Sequence, residues 1–301
     1  MKKIKKNTPG QPADKKGPAG SVRKKKASTP FQRLTELTKW VDLVIEVLDG
    51  RLPLSTRHPA SREIFGNRPR LLVISKSDIS DSDKIKAYIK RLNAQAETTK
   101  ELAVVLNLKG KGSNPQAFFE AALELTREKR ESLVRKGLLP RPMRAMVVGI
   151  PNVGKSSLIN WFVGSKKART GDMPGVTRGN QWIKVHPELE LLDTPGILPP
   201  TLFSGETMTR LALLNLVPQD SYDTLDIANL GATIMQSKYP KRPESYLEGL
   251  STCDSPMYYM AEKKKFLANH GRIDDLRAAN IFLRDIRDAK LGPITLDTVN
   301  E

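Results

Sequence analysis

The chain has 301 residues, a net charge of +17 and 39% apolar residues, enough for a full core and two domains. Its one cysteine, Cys253, excludes an intrachain disulfide and a cysteine-cluster zinc site and fits a reducing, cytosolic setting. No apolar run approaches the roughly 20 residues of a membrane span, and Lys2, Lys3, Lys5 and Lys6 lack the apolar stretch of a secretory signal. The charge is uneven. Residues 1–29 hold ten Lys/Arg against Asp14 alone, whereas 205–301 hold twelve against fourteen acidic residues. A cationic surplus of this kind suits a polyanionic partner, because each cation paired with a phosphate releases condensed counterions. The plainer alternative is a solubilising surface.

Residues 1–29 mix Lys, Pro, Gly, Ser and Ala with almost nothing to bury, which predicts a disordered basic arm. Order is expected from Phe31, since Phe31, Leu34, Leu37 and Val41 fall at helical spacing. Leu43 to Leu48 reads as a buried strand closed by an Asp49-Gly50 turn. Leu71 to Ile74 is a second strand, followed by a polar helix from Asp81 to Asn93. Ala103 to Leu106 is a third strand, and a long helix covers Asn114 to Lys136 until Gly137, Pro140 and Pro142 stop it. Arg144 to Gly149 is a fourth strand, and Lys155 to Phe162 opens the next helix. Gln181 to Val185 and Leu189 to Leu192 are strand-like. This alternation implies an α/β fold with a mostly parallel sheet and helices on both faces. Beyond Pro199-Pro200 the apolar residues cluster in helix-like segments, so 205–301 is expected to form a small all-helical domain after a 30–204 domain.

Gly149 to Ser156 matches G-x-x-x-x-G-K-S behind the apolar strand Met146-Val147-Val148. Backbone N–H groups of Asn152, Val153, Gly154, Lys155, Ser156 and Ser157 can turn toward phosphate oxygens at a helix N-terminus. Lys155 is expected to reach the β- and γ-phosphates, and Ser156 to hold Mg²⁺. Asp193, in Asp193-Thr194-Pro195-Gly196, can bind Mg²⁺ through a water, and the Gly196 amide can meet the γ-phosphate. Thr177 can complete the metal shell on a loop that orders only with γ-phosphate. Asn152 could bring its side-chain oxygen to a potassium ion, or simply shape the loop.

Ser75-Lys76-Ser77-Asp78 follows the second strand. Asp78 can accept from the N1–H and exocyclic amine of guanine, which adenine cannot supply, and Lys76 can lay its stem along the base. Ser75 replaces the Asn of the usual N-K-x-D, and its shorter reach puts one base contact or loop tether in question. Leu106-Asn107, ending the next strand, is where backbone amides would meet guanine O6. The guanine motif thus precedes the phosphate loop, the reverse of the usual order, which indicates a circularly permuted GTPase. Ile197 stands where Ras-like GTPases place the glutamine that orients water, and isoleucine cannot do so.

Together these residues resemble the YlqF/RbgA family of ribosome biogenesis GTPases over about residues 31–301. The resemblance includes Asp49-Gly50-Arg51-Leu52-Pro53 with Ser55-Thr56-Arg57, the run Gly149 to Asn160, Thr170 to Thr177, and Leu189 to Leu198. It implies a permuted Ras-like domain with a helical C-terminal domain that binds rRNA. It also implies GTP hydrolysis stimulated by the large ribosomal subunit late in that subunit's maturation. Ile197 would be the family's apolar residue and Asn152 its potassium-supporting asparagine. Well-known members begin with a W-F-P-G-H-M segment whose histidine is implicated in hydrolysis. Here the corresponding place falls near Lys26, in the run Arg23 to Lys26, and the water-activating group is unassigned. Of the three histidines, only His58 is a candidate substitute, and its plainer reading is an exposed loop residue.

The expectation is a monomeric, cytoplasmic GTPase that binds the precursor particle with GTP and leaves on hydrolysis. The alternative is a nucleotide-gated RNA-binding factor with negligible turnover. A small-subunit permuted GTPase, with its zinc cluster and OB-fold, is opposed by the single cysteine. An ATP-dependent kinase or transferase would fit the phosphate loop but not Asp78.

Overall fold

The computed structural model describes residues 30–109, 115–139, 141–164, 181–193, 203, 205–240, 242, 249 and 255–297. The basic arm, Thr177, Gly196, Ile197 and Cys253 lie outside the described residues.

A helix, α1 (Pro30–Thr38), leads into β1 (Leu43–Asp49), every residue of which is buried. A strand that is apolar almost throughout is the pattern of a sheet covered on both faces. Then come α2 (Ser61–Phe65), β2 (Arg70–Ser75), α3 (Ser82–Asn93), α4 (Ala96–Thr99) and β3 (Glu101–Val105). They are followed by α5 (Gln116–Arg135), β4 (Met143–Val148), α6 (Lys155–Gly164), β5 (Gln181–His186) and β6 (Leu189–Asp193). The sheet has 6 strands in the order β3-β2-β1-β4-β6-β5. All neighbours are parallel except the β5–β6 pair, an antiparallel hairpin at one edge. Ile85 and Tyr88 of α3 cover Leu48, Leu72, Ile74 and Ala103 on one face. Phe118 and Ala122 of α5, with Leu158 and Phe162 of α6, belong to the main core.

The helix boundaries follow local chemistry. Asp81 caps α3 by accepting from the N–H groups of Asp83 and Lys84. Gly137, at φ +72°, follows α5 as a left-handed stop. Two differences from the sequence reading have physical causes. Val41 is buried but lies beyond α1, on the lead into β1. The third strand starts at Glu101, earlier than its apolar pattern, because Arg57 and Arg70 neutralise the buried Glu101 carboxylate.

The C-terminal part contains α7 (Gly205–Leu213), α8 (Thr224–Lys238), α9 (Pro256–Lys263) and α10 (Asp275–Arg287). Its buried face, including Leu211, Ala232, Met257, Ala279, Phe282 and Ile286, is continuous with the main core of the sheet. Gly231 lets α8 approach α7 closely, since a Cβ there would lie 2.5 Å from Leu213 Cδ1.

After α10 the chain returns to the sheet as an extended strap, residues 293–297. Its N–H groups donate from Ile294 to the Ile79 carbonyl (3.1 Å) and from Leu296 to the Arg51 carbonyl (2.8 Å). Thr295 Oγ1 donates to the Gly50 carbonyl (2.9 Å). Buried Asp297 accepts from the Leu54 and Ser55 amides (2.7 and 2.9 Å) and from Ser55 Oγ (2.5 Å), and Arg210 lies 3.6 Å away. Burial pushes the Asp297 carboxyl up, but these donors oppose that shift. Replacing Asp297 by Ala takes the acceptor from the part-buried Leu54 and Ser55 amides and removes one of the carboxylates beside Arg210, which keeps Glu206, so a loss of about 2 kcal/mol is expected in chemical denaturation. Asp297→Asn, which keeps an acceptor, should lose less.

Candidate nucleotide site

The C-terminal ends of parallel strands are where an open α/β sheet offers loops to a ligand. Here β1, β2, β3 and β4 deliver Asp49, Ser75, Leu106 and Gly149 to one edge, and β6 ends there at Asp193.

The phosphate loop leaves β4 at Gly149. Its φ is +150°, and a Cβ would stand 2.7 Å from the Val47 carbonyl oxygen, so the position demands glycine. Asn152 is left-handed (φ +60°), and Gly154 turns at φ +108° into α6. Val153 is fully buried beneath the loop, whereas Ser156 and Ser157 are exposed at the first turn of α6. Lys155 Nζ donates to the Ile150 carbonyl of its own loop (2.7 Å). Burial lowers the Lys155 pKa from the usual lysine value. An ammonium held back from water beside one carbonyl is prepared for an anion, which would restore the lost solvation.

Ser75 is fully buried at the end of β2. Its Oγ lies 2.5 Å from the Val153 carbonyl oxygen and 2.9 Å from that of Leu48. The hydroxyl has one proton to donate, yet it touches the phosphate loop directly. The loop tether that a serine placed in question is therefore made.

Lys76 adopts the left-handed region (φ 54°) and opens a tight turn, Ser77–Ile79. Asp78 stands at the surface with Lys109 3.7 Å from its carboxylate. The Leu106 amide donates to the Ile74 carbonyl (3.0 Å), and Asn107 Oδ1 accepts from the Lys109 amide (3.1 Å). Asn152 Nδ2 donates to the Asn215 carbonyl (2.9 Å), so the phosphate loop touches the turn after α7. Thus the loop from 149 to 157, Ser75 to Asp78 and Leu106-Asn107 lie at one edge of the sheet, but the Leu106 amide is engaged by Ile74 and is not offered to a base, contrary to the expectation for it. Asp193 reaches the same edge through its backbone, while Thr177 and Gly196 lie outside the described residues.

Two further expectations are corrected. His58 is buried, not an exposed loop residue. Its amide donates to Glu46 Oε1 (3.2 Å), its Nδ1 accepts from Ala60 (3.2 Å), and its ring meets Phe203 edge-on. The Glu46 carboxyl, pushed up by full burial, forms its floor. Asp49 is more than the start of a turn. Fully buried, it accepts from Arg51 Nη2 (2.7 Å) and Nε (2.9 Å), and Lys76 Nζ lies at 2.8 Å. Burial would raise its carboxyl, but the guanidinium and the ammonium outweigh that and hold it at about 2.

Residues 144–237 match a family model described as 50S ribosome-binding GTPase. Ribosome biogenesis GTPase A of Bacillus cereus is 36% identical over 280 residues, 90% of each chain. The chain belongs to the ribosome biogenesis GTPase A family. Mitochondrial ribosome-associated GTPase 1 of Mus musculus is 32% identical over 291 residues, 89% of this chain and 86% of that one. The crystal structure of GNP-bound YlqF from T. maritima shares the fold at TM-score 0.62 and 22% identity, covering 89% of this chain and 97% of the other. This protein is therefore a GTP-hydrolysing enzyme of ribosome biogenesis with a circularly permuted GTPase domain.

The roles of Asp49 and Arg51 emerge only from the structure; the signal the sequence offered was an Asp closing an apolar strand with an Arg two residues on. Replacing Ser75 by Ala removes the donor that reaches Val153. GDP affinity is expected to fall about tenfold in equilibrium titration, and the buried carbonyls left without their donor should cost about 1–2 kcal/mol of stability.

Proposed function

We propose that this GTPase acts late in maturation of the large ribosomal subunit, binding the precursor and its rRNA with GTP bound and leaving on hydrolysis. The observation that carries the reading is the direct contact between the guanine motif and a built phosphate loop, in a segment matching 50S ribosome-binding GTPases. The basic balance of residues 1–204 supports a polyanionic partner. The protein is read as a cytoplasmic monomer with a 30–204 GTPase domain and a 205–301 helical domain. No helix among the described residues is long and apolar enough to cross a membrane.

In this reading Asp78 selects guanine through two donors of the base edge, and the Asn107 amide meets O6, since the Leu106 amide is held by the Ile74 carbonyl. The amides from Asn152 to Ser157 and the Lys155 ammonium take the phosphates. Lys155 leaves the Ile150 carbonyl to do so, and its charge offsets the negative charge that develops at the γ-phosphate in the transition state. The glycine cradle at 149 and the exposed Ser156 hydroxyl suit a triphosphate carrying Mg²⁺, with Asp193 and Thr177 as its further partners. Magnesium, when bound, neutralises phosphate oxygens. Asn152 fits a potassium role, because its Nδ2 is engaged by Asn215 and its Oδ1 is the atom a cation requires. The γ-phosphate is read by the Thr177 and Gly196 loops, whose release would loosen the particle-bound state.

The test is single-turnover GTP hydrolysis in potassium buffer with and without precursor large subunits. Acceleration by particles, and tighter co-sedimentation with a GTP analogue than with GDP, is expected. Equal affinity in both nucleotide states contradicts the release step. Asp78→Asn should weaken GDP by about 10- to 100-fold. It should also favour xanthosine diphosphate, whose C2 carbonyl accepts from the new amide.

A further inference from the structure

We propose that Asp49 is a positioning residue of the guanine pocket: its carboxylate holds Lys76 in place and, through Arg51, joins that lysine to the C-terminal helices. This rests on reading Ser75 to Asp78 as the guanine site.

The placement is built into the sheet. Asp49, the last residue of β1, registers against Ser75 of β2, so Lys76 follows beside it. Lys76 occupies a backbone region that side-chain-bearing residues seldom adopt, and its ammonium meets Asp49 Oδ2 at 2.8 Å. Asp49 is fully buried, whereas Lys76 is partly exposed. The carboxylate thus anchors the tip of the lysine while the stem stays available to lie along a purine. Without Asp49, the ammonium would be drawn to solvent and the stem would lose its fixed direction.

The second cation on the same carboxylate points away from the nucleotide. Arg51 Nε and Nη2 grip Asp49, while Nη1 donates to the Arg287 carbonyl at the end of α10 (3.2 Å). Arg287 in turn donates to the carbonyls of Leu213 and Ala212 at the end of α7 (2.9 and 3.0 Å). The neighbouring Gly50 and Arg51 carbonyls accept from Thr295 and Leu296 of the strap. One carboxylate therefore connects the base-stacking lysine to two helix ends and the strap. Any shift of Lys76 on nucleotide binding is felt there, and reciprocally the docking of those helices bears on guanine affinity.

The experiment measures GDP affinity in the full chain for Asp49→Asn, Lys76→Met and the double variant, with GTP turnover alongside. Each single change is expected to weaken GDP about tenfold, with the double no weaker than Lys76→Met alone. KM should rise while kcat stays within about twofold, because the phosphate loop is untouched. An unchanged GDP affinity in Asp49→Asn, or fully multiplicative effects, overturns the proposal. Asp78→Asn separates the premises. If it too leaves GDP affinity unchanged, the guanine-site reading fails; if it alone weakens GDP, the positioning role fails. A measurement on the unaltered protein covers the case in which Asp49→Asn does not fold. The Arg51 Nε–H resonance, identified by its loss in Arg51→Lys, should move when GDP is added. A resonance that stays in place contradicts the link.

Discussion

The contact between Ser75 Oγ and the Val153 carbonyl joins two motifs 78 residues apart, and the nucleotide site depends on it. Permutation alters which motif the ribosome makes first, not which strands are neighbours. Because β2 and β4 both flank β1, the guanine motif and the phosphate loop leave the sheet on either side of one strand. Gly149 then lies against the Val47 carbonyl, and Gly154 lies 3.3 Å, at its notional Cβ, from Ser75 Oγ. A larger residue at Gly154 would press on Ser75, and one at Gly149 would push the phosphate loop off β1.

The same central strand carries the polar chemistry of the fold. Its apolar residues are buried on both faces, yet it also holds Glu46 and ends in Asp49. Asp49 is satisfied by two cations and stays ionised. Glu46 accepts from His58 and Ser61, and burial raises its pKa. A buried carboxylate survives where its donors are fixed by neighbouring backbone, as they are in the 50–61 loop. That loop is bounded by the strap, whose Asp297 gathers its Leu54 and Ser55 amides.

The sheet was legible because its strands are short apolar runs separated by helical periodicity and Gly/Pro stops. The phosphate loop was legible because its geometry demands Gly149, Gly154, Lys155 and Ser156 at fixed spacing. The burial of His58 was not legible, because it depends on Glu46, Ala60 and Phe203, which only folding brings together. Glu101 was hidden for a related reason: a charged residue reads as a strand boundary until Arg57 and Arg70 are known to face it. The strap escaped notice because residues 293–297 pair with loops more than 200 residues earlier and carry no periodicity of their own. Asp49 looked like an ordinary turn residue because its partner Lys76 lies far along the chain, just past the end of the next strand.

Two halves of a nucleotide site, tied by Ser75 and backed by the strap, should respond to one ligand together. Amide hydrogen exchange of the full chain with and without GDP reads that response most directly. Joint protection of 149–157, 76–78 and 106–109, accompanied by slower exchange at 294–296, is the expected result. Protection confined to 149–157, with the guanine motif and the strap unchanged, would contradict a single coupled site.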